Sequence, residues 1–252
     1  MGENFKEAFE KTKIAGSIAA GALDEVNKVI KPGISTAKID KICYEYINDN
    51  KAYSAPLFYR GFPKSCCTSA NHVVCHGIPS EKILKEGDIV NVDVTAFKDN
   101  WHGDTSRMFS VGEISVKAKK LVTTTYESMM KAISIVKDGI HLGDIGSTIQ
   151  KHVEAQGFSV VQDFCGHGIG QSFHKEPNVL HYGETGTGKK IKTGMIFTIE
   201  PMINLGNYET KTLNDGWTAV TKDKSLSAQF EHTIGVTKNG YEIFTQSNNA
   251  SY

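Results

Sequence analysis

The stretch DIVNVDVTAFKDNWHGDTSR, residues 88–107, constrains the fold more than any other part of the sequence. In its first half the apolar residues alternate with polar ones, which predicts a strand with one apolar face and one polar face. Asp99 and Asn100 are typical of a two-residue turn, so we expect the chain to return as the second strand of a β-hairpin. The sequence therefore predicts a sheet built around this hairpin.

Two aspartates of the hairpin, Asp93 and Asp104, are expected to share its polar face. A two-residue turn at 99–100 pairs Asp93 with Ser106 and Thr95 with Asp104, and the aspartates become diagonal neighbours with Cα atoms about 7 to 8 Å apart. Two such carboxylates are unstable when buried unless a proton or a metal ion neutralises them. Taken alone, the hairpin also allows edge-strand aspartates that face water.

Three other segments place a potential metal ligand within or at the end of a β-like stretch: GHGIG around His167, FTIEPM around Glu200 and QFEHT around Glu231. A carboxylate in an apolar stretch is costly to bury without a partner, although surface exposure and an ordinary loop histidine are the alternatives. Two Asp and two Glu carry four negative charges, which two divalent cations would cancel. Four carboxylates are too many for a four-coordinate structural zinc site.

The helical parts of the sequence repeat a pattern after 106 residues. Apolar spacing predicts one pair of helices on either side of residues 31–33 and another on either side of residues 137–139. The shift brings Lys31 onto Lys137, Gly33 onto Gly139, Ile34 onto Ile140, Ile39 onto Ile145, Cys43 onto Ile149 and Ile47 onto Val153. Such a long period excludes a solenoid and indicates two related halves of one α/β unit, with chance agreement as the alternative. Strands are predicted at 89–98, 101–111, 158–164, 195–204 and 228–237.

Charge and composition narrow the classes of function. The 252-residue chain has 28 Lys and Arg against 28 Asp and Glu, so a net charge of zero gives no general attraction to nucleic acid or anionic lipid. No apolar run approaches the roughly 18 residues that span a bilayer, and residues 1–13 are charged rather than built like a signal peptide. Five cysteines without a C-x-x-C pair are expected to be reduced thiols. We expect a cytoplasmic enzyme or binding protein that binds neither DNA nor membranes.

Over nearly the whole chain, the sequence resembles the type I methionine aminopeptidases of bacteria. The stretches that carry the resemblance are NVDVTAFKDNWHGDTSRMF, CGHGIGQSFHKEPNVLHY, GMIFTIEPM and SLSAQFEHTIGV. It implies a pita-bread fold, an α/β (α+β) architecture in which two pseudo-symmetric αβ halves enclose a central dinuclear metal site, and a single catalytic metallopeptidase domain over 1–252. The family's metal ligands fall on Asp93, Asp104, His167, Glu200 and Glu231.

The resemblance implies removal of the N-terminal methionine from nascent proteins and peptides by a hydroxide that bridges two metal ions. Glu200 would be both a ligand and the group that manages the proton, His174 would stabilise the developing oxyanion, and His76 would contact the scissile amide. Without the resemblance, either histidine is an ordinary polar loop residue. Sites rich in oxygen with one imidazole accept cobalt, manganese, iron(II) and zinc, so the identity of the metal stays open.

By the same resemblance, the methionine pocket consists of polarizable and aromatic groups that suit a thioether. The residues that the resemblance assigns to substrate binding are His76 and His174 together with Tyr59, Phe62, Cys67, Phe173 and Trp217. Core packing is the alternative for Phe62 and Cys67. Pro56 stands where many bacterial relatives have a cysteine, and Phe62 where a tyrosine is frequent, so we expect substrate and inhibitor preferences to differ. A monovalent cation binds in some relatives at positions that match Asn71, Val73 and Ser227.

Two other functions compete with this interpretation. A proline-specific peptidase of the same fold, such as prolidase or aminopeptidase P, is disfavoured because those relatives generally carry an additional N-terminal domain. A non-catalytic binding protein of the same fold is disfavoured because such proteins typically lose metal ligands. The resemblance further predicts a monomer that acts on nascent chains at the ribosome, although zero net charge predicts only weak, local docking to ribosomal RNA.

Overall fold

The computed structural model describes residues 4–247, which contain four α-helices, fifteen β-strands and a short 3-10 helix at Tyr59–Gly61. The helices are α1 (Asn4–Val29), α2 (Thr36–Asp49), α3 (Val116–Ser134) and α4 (Leu142–Glu154). The strands are β1 (Tyr53–Ser54), β2 (Cys67–Ala70), β3 (Val73–Cys75), β4 (Ile89–Lys98), β5 (Trp101–Ser110), β6 (Ser159–Val160), β7 (Gly166–Gly168), β8 (Lys175–Val179), β9 (Ile196–Ile199), β10 (Met202–Asn204), β11 (Thr210–Thr212), β12 (Ala219–Thr221), β13 (Ser227–Gln229), β14 (Glu231–Val236) and β15 (Tyr241–Ile243). The mixed α/β class predicted from the sequence is confirmed.

The two helix pairs, α1–α2 and α3–α4, have the same local structure 106 residues apart. Gly33 and Gly139, which precede α2 and α4, have φ angles of 93° and 96°, a region that glycine enters without strain. The Gly33 N–H donates to the Leu84 carbonyl and the Gly139 N–H to the Ile191 carbonyl, at 2.8 and 3.0 Å. The matched apolar side chains are all fully buried: Ile39, Cys43, Ile47, Ile145, Ile149 and Val153. The repeat therefore marks two related αβ halves.

The helix ends follow local hydrogen bonding. Ser35 is the N-cap of α2, where its hydroxyl accepts from the Lys38 N–H. Helix α3 ends at Ser134, three residues before the end near Lys137 that the sequence predicts. After Ser134 the Val136 N–H donates to the Ile133 carbonyl, an i→i+3 hydrogen bond of the kind that closes the last turn of many helices.

The largest sheet has nine strands in the order β1-β4-β5-β14-β9-β7-β8, with β2 also paired to β4 and β15 to β14. Its β4–β5 hairpin turns at Asp99 and Asn100, which both have positive φ (49° and 67°) as a tight two-residue turn requires. Asp93 lies opposite Ser106, and Thr95 lies opposite Asp104. The predicted register is therefore confirmed.

Two predicted strands are interrupted, and that part of the prediction is wrong. The stretch 195–204 divides into β9 and β10 at Glu200-Pro201, and the stretch 228–237 divides into β13 and β14 at Phe230. In both places the chain passes between the large sheet and a three-stranded sheet of order β13-β10-β6. Pro201 has no N–H to donate to a ladder, which favours a break there. Of 158–164, only β6 is a strand.

Two large apolar cores pack the helices against the sheet. One core packs α1 and α2 on apolar residues of β4 such as Val92 and Val94, and a second packs α3 and α4 on β9 and β14. All five cysteines are free thiols, as predicted. Across residues 4–247, no helix has the length and apolar character needed to cross a membrane.

Candidate metal centre and substrate cavity

One cavity of about 390 Å³ brings the predicted site residues together. All five residues predicted as metal ligands line it, and so do all seven predicted to bind substrate: Tyr59, Phe62, Cys67, His76, Phe173, His174 and Trp217. Pro56, noted as a departure from the family pattern, also lines the cavity. Residues that are far apart in the sequence therefore form a single site.

Five neighbouring strands of the large sheet supply the predicted ligands. In the order of the sheet, Asp93 lies on β4, Asp104 on β5 and Glu231 on β14. Glu200 follows directly after β9, and His167 lies on β7. Both glutamates lie where the chain passes between sheets, so each carboxylate emerges at a break in the ladder. The interrupted strands thus explain how carboxylates in apolar segments reach the cavity.

The ligand atoms converge without hydrogen-bonding to one another. One ligand atom each of Asp104, His167 and Glu231 lies within 4.8 Å of the other two. His167 Nε2 is 3.6 Å from Asp104 Oδ2 and 3.6 Å from Glu200 Oε1, longer than a hydrogen bond. Asp93 lines the same cavity beside this group.

Burial makes three carboxylates of this centre, those of Asp93, Glu200 and Glu231, costly to ionise. Removal from water raises the pKa of Glu231 and of Asp93 well above the ordinary range, with further increases from neighbouring carboxylates. Burial likewise raises the pKa of Glu200 to about 7. Glu231 is only 2% exposed, and its Oε1 has no hydrogen-bond partner among the described residues. A buried, unpartnered carboxylate oxygen within an acidic group fits a hard divalent cation.

His167 is prepared to act as a ligand. Burial lowers its pKa, but the carboxylates of Asp104 and Glu200 outweigh this effect, and the net shift is upward. Its Nδ1 lies 3.1 Å from the Gly168 carbonyl. In the neutral ring that a metal ion would bind, a proton on Nδ1 can donate to this carbonyl, and Nε2 is then the ligand atom that faces Asp104 and Glu200.

Three polar residues that sequence reasoning did not identify as site residues hold the ligands. The Thr95 hydroxyl donates to Asp104 Oδ1 at 2.7 Å, and the Thr198 hydroxyl donates to Glu200 Oε1 at 2.7 Å. The Glu200 N–H donates to His181 Nε2 at 3.1 Å. The only sequence signal for Thr198 is its position two residues before Glu200, on the same side of the strand. His181 gives no local signal.

Two aromatic groups line the substrate side of the cavity. In the first, Tyr59 stacks at a tilt on Phe173 (4.9 Å between ring centroids) and its hydroxyl lies 3.1 Å from His174 Nδ1. In the second, Phe62 and Trp217 meet edge to face at 5.1 Å. These contacts place the predicted pocket residues around one slot.

The two predicted active-site histidines are held neutral near pH 7. Burial lowers the pKa of His174 to about 4, and it also lowers the pKa of His76. His76 has a left-handed backbone with φ of 56°, which is strained for a non-glycine residue and typical of functional positions. Its ring meets Phe164 and Trp217 edge-on.

Several cavity residues were not foreseen from the sequence. They are Arg60, Cys75, Asp163, Phe164, Cys165 and Met202. They come from loops and short strands distant in sequence, so no local pattern identifies them. Burial raises the pKa of the Cys75 thiol well above its usual range and raises that of Cys165, so neither is an activated nucleophile.

The residues predicted to bind a monovalent cation lie close together outside the cavity lining. Asn71, in the turn between β2 and β3, has φ of 58°, and its carbonyl accepts from the Ser227 N–H at 2.8 Å. Val73 begins β3. The Asn71 side chain is hydrogen-bonded to the Asp88 carboxylate and to the Ile89 N–H.

Comparison with known proteins identifies the family of the chain. The model of metallopeptidase family M24 matches residues 10–238. The methionine aminopeptidase of Rickettsia prowazekii (strain Madrid E) is 56% identical over 240 residues, which cover 95% of this chain and 93% of the relative. A crystal structure of methionine aminopeptidase from Rickettsia prowazekii has a TM-score of 0.94 at 55% identity and covers 96% of this chain and 98% of that chain.

More distant structures share only the fold. Prolidase from Pyrococcus furiosus is 22% identical with a TM-score of 0.77, and the match covers 97% of this chain and 65% of that chain. The predicted pita-bread architecture is therefore confirmed. The chain belongs to metallopeptidase family M24 and groups within it with the methionine aminopeptidases.

Proposed function

We propose that this protein is a methionine aminopeptidase, which hydrolyses the peptide bond after an N-terminal methionine in peptides and nascent chains. The observation that carries the proposal is that one cavity is lined both by a cluster of acidic residues and by a slot of aromatic and sulfur-containing side chains. The cluster suits hydrolysis, and the slot suits a thioether. Identity of 56% to a relative named methionine aminopeptidase supports it.

Asp93, Asp104, His167, Glu200 and Glu231 are proposed to hold two divalent ions, for which cobalt, manganese, iron(II) and zinc are the candidates. When bound, such ions lower the pKa of a water molecule and polarise the scissile carbonyl. The four carboxylates and one imidazole supply the hard donors that two such ions need. Burial raises the pKa of Asp93, Glu200 and Glu231, so a nearby cation would stabilise their ionised forms.

His174 is proposed to donate a hydrogen bond to the developing oxyanion. Its low pKa keeps the ring neutral, and a Tyr59 hydroxyl that donates to Nδ1 leaves the ring proton on Nε2. A donor held in this way needs no reorientation during the reaction. His76, also neutral, is proposed to contact the scissile amide.

Glu200 is proposed to hold and transfer the proton of the attacking water. Burial raises the pKa of Glu200 to about 7, which supports a carboxylate that takes up and releases a proton near neutral pH. Thr198 and His181 fix this residue on both sides, at the carboxylate and at the backbone N–H.

The methionine side chain is proposed to bind among Tyr59, Phe62, Cys67, Phe173 and Trp217. Phe62 and Cys67 are buried at 3% and 7% exposure, yet both line the cavity. Their packing and their contact with substrate are therefore compatible, and the wall excludes water from the thioether.

Further proposals concern a monovalent cation, the oligomeric state, the compartment and ribosome docking. A monovalent cation would bind near Asn71, Val73 and Ser227. The chain acts as a monomeric, single catalytic domain over 1–252, of which residues 1–3 and 248–252 lie outside the described part. Five free thiols support a reducing, cytoplasmic compartment. Zero net charge supports weak, local ribosome docking.

The deciding experiment follows methionine release from a Met-Gly-Met peptide by the metal-stripped protein, before and after addition of Mn²⁺ or Co²⁺. Metal-restored release that is lost in Glu200→Ala is the expected result. An Xaa-Pro peptide runs in parallel. Cleavage of that peptide alone would move the assignment to a proline-specific peptidase, and metal binding without cleavage of either peptide would indicate a binding protein.

A further inference from the structure

Thr198, on β9, is a fully buried hydroxyl beside the candidate metal centre. Side chains alternate along a strand, so Thr198 points away from the apolar core that contains its neighbours Phe197 and Ile199. A buried hydroxyl is costly unless it is hydrogen-bonded. The partners of this hydroxyl therefore explain why threonine occupies the position.

Within the described residues, both hydrogen bonds of the Thr198 hydroxyl involve proposed metal ligands. The His167 N–H donates to Thr198 Oγ1 at 2.9 Å, and Oγ1 donates to Glu200 Oε1 at 2.7 Å. Because a backbone N–H can only donate, the hydroxyl accepts from His167 and its single hydrogen is left for Glu200. The direction of both bonds is thus fixed by the groups themselves.

The oxygen that Thr198 holds is the one that faces His167. Glu200 Oε1 lies 3.6 Å from His167 Nε2, whereas the hydrogen bond of Oε2 within residues 4–247 is a long 3.4 Å contact with Gln229 Nε2. A short hydrogen bond to a carboxylate is stronger than a neutral one of ordinary length. Thr198 therefore contributes most to the orientation of the Glu200 carboxylate.

The surrounding backbone is adapted to this contact. A Cβ at Gly166 would lie 2.4 Å from the Thr198 carbonyl oxygen and 3.1 Å from Oγ1, so only glycine lets β7 approach closely enough. Thr233, opposite Thr198 in β14, accepts from the Asp104 N–H and donates to the Asp104 carbonyl. Two paired threonines thus contact three proposed ligands.

We propose that Thr198 is a positioning residue that fixes the Glu200 carboxylate relative to His167 ahead of metal binding. The inference rests on the proposed function, because it takes both residues as metal ligands. Hydrogen bonds that orient ligands from outside the coordination sphere change metal affinity by about 10- to 100-fold.

The test compares Thr198→Val, which keeps the shape and removes the hydroxyl, with Thr198→Ser, which keeps the hydroxyl. Calorimetric titration of the metal-stripped proteins with Mn²⁺ should show affinity weakened about 10- to 100-fold in the valine variant and within about threefold of wild type in the serine variant. At saturating Mn²⁺, the valine variant should lower kcat for Met-Gly-Met with little change in KM.

A merely structural role gives a different result. It would lower the thermal unfolding midpoint of Thr198→Val but leave the Mn²⁺ affinity of the folded protein unchanged, and that outcome would overturn the proposal. If the valine variant does not fold, Thr198→Ala leaves room for a water at the His167 N–H and should show the same loss of affinity. A wild-type protein that neither binds Mn²⁺ nor releases methionine would reject the proposed function as well.

Discussion

The Thr95 hydroxyl donates a 2.7 Å hydrogen bond to Asp104 Oδ1 directly across the β4–β5 hairpin. Because Oδ1 is engaged, Oδ2 is the oxygen that lies 3.6 Å from His167 Nε2. The Asp104 N–H and carbonyl are both bonded to the Thr233 hydroxyl. Neighbouring strands therefore hold Asp104 at the backbone and at the carboxylate, which orients one oxygen into the cavity before any ion binds.

Metal binding should release protons and strengthen as the pH rises. In the metal-free protein, burial raises the pKa of Glu200 to about 7 and that of Glu231 well above its usual range, so these groups hold protons at mildly acidic pH. An ion must displace them to bind the carboxylates. Calorimetric titration with Mn²⁺ at about pH 6, in two buffers of different ionisation enthalpy, measures the release. Equal apparent enthalpies in the two buffers would contradict the prediction.

Glu231→Gln should stabilise the metal-free protein while abolishing tight metal binding. The substitution removes a buried carboxylate whose Oε1 has no partner among the described residues. Relief of this burial cost should raise the free energy of unfolding by about 1 to 3 kcal/mol at neutral pH. Urea unfolding of the metal-stripped proteins checks this. Glu209→Gln, at a half-exposed ion pair with Lys222, is the control and should change stability by less than about 1 kcal/mol.

The hairpin and its ligands could be predicted from sequence because their determinants are local. Alternation assigns the faces of β4, and Asp99 and Asn100 fix the turn, so the register that brings Asp93 and Asp104 to one face follows from a short segment. The 106-residue repeat was similarly visible because both halves need glycine at one turn and buried apolar side chains at matched positions.

The strand breaks and the surroundings of the ligands could not be predicted. Glu200 lies in an apolar stretch that resembles a continuous strand, and only the passage of the chain to a second sheet reveals the break. His181 reaches the Glu200 N–H, and Cys165 and Met202 reach the cavity, through long-range packing. Such contacts depend on how distant elements meet, which no local pattern encodes.

His181 should make folding stability sensitive to acid. Burial lowers its pKa from 6.5 to about 3, so the unfolded chain binds a proton that the folded protein excludes. The contribution of neutral His181 to the free energy of unfolding is fully present above about pH 6.5. It is lost as the pH falls towards 3, at up to about 1.4 kcal/mol per pH unit. His181→Gln, which retains an acceptor for the Glu200 N–H, should have a shallower dependence on pH. Urea unfolding at about pH 7 and about pH 5 measures the difference, and parallel profiles for both proteins would contradict it.

His174→Ala should lower kcat by about 10²- to 10³-fold, the usual effect of removing one oxyanion donor, with little loss of metal. Tyr59→Phe should produce a smaller decrease, because the ring still packs on Phe173 but no longer bonds His174 Nδ1. Steady-state kinetics on Met-Gly-Met, with Mn²⁺ affinity measured separately, test both variants. An unchanged kcat in His174→Ala would reject its role.

Phe62→Ala should weaken recognition of the methionine side chain more than the chemical step. Phe62 forms one wall of the cavity and meets Trp217 edge to face at 5.1 Å, so its removal widens the slot and loses aromatic contact with a thioether. We expect KM for Met-Gly-Met to rise about tenfold, equivalent to about 1.4 kcal/mol of lost binding, while kcat falls less.

The ratio of kcat/KM for an N-terminal methionine to kcat/KM for an N-terminal leucine should decrease in this variant, because a wider slot discriminates less by shape. Val116→Ala, at an 86% exposed position on α3, is the control and should leave both constants unchanged. If Phe62→Ala lowers the thermal midpoint but keeps the same KM and the same preference, Phe62 belongs to the core and not to the pocket.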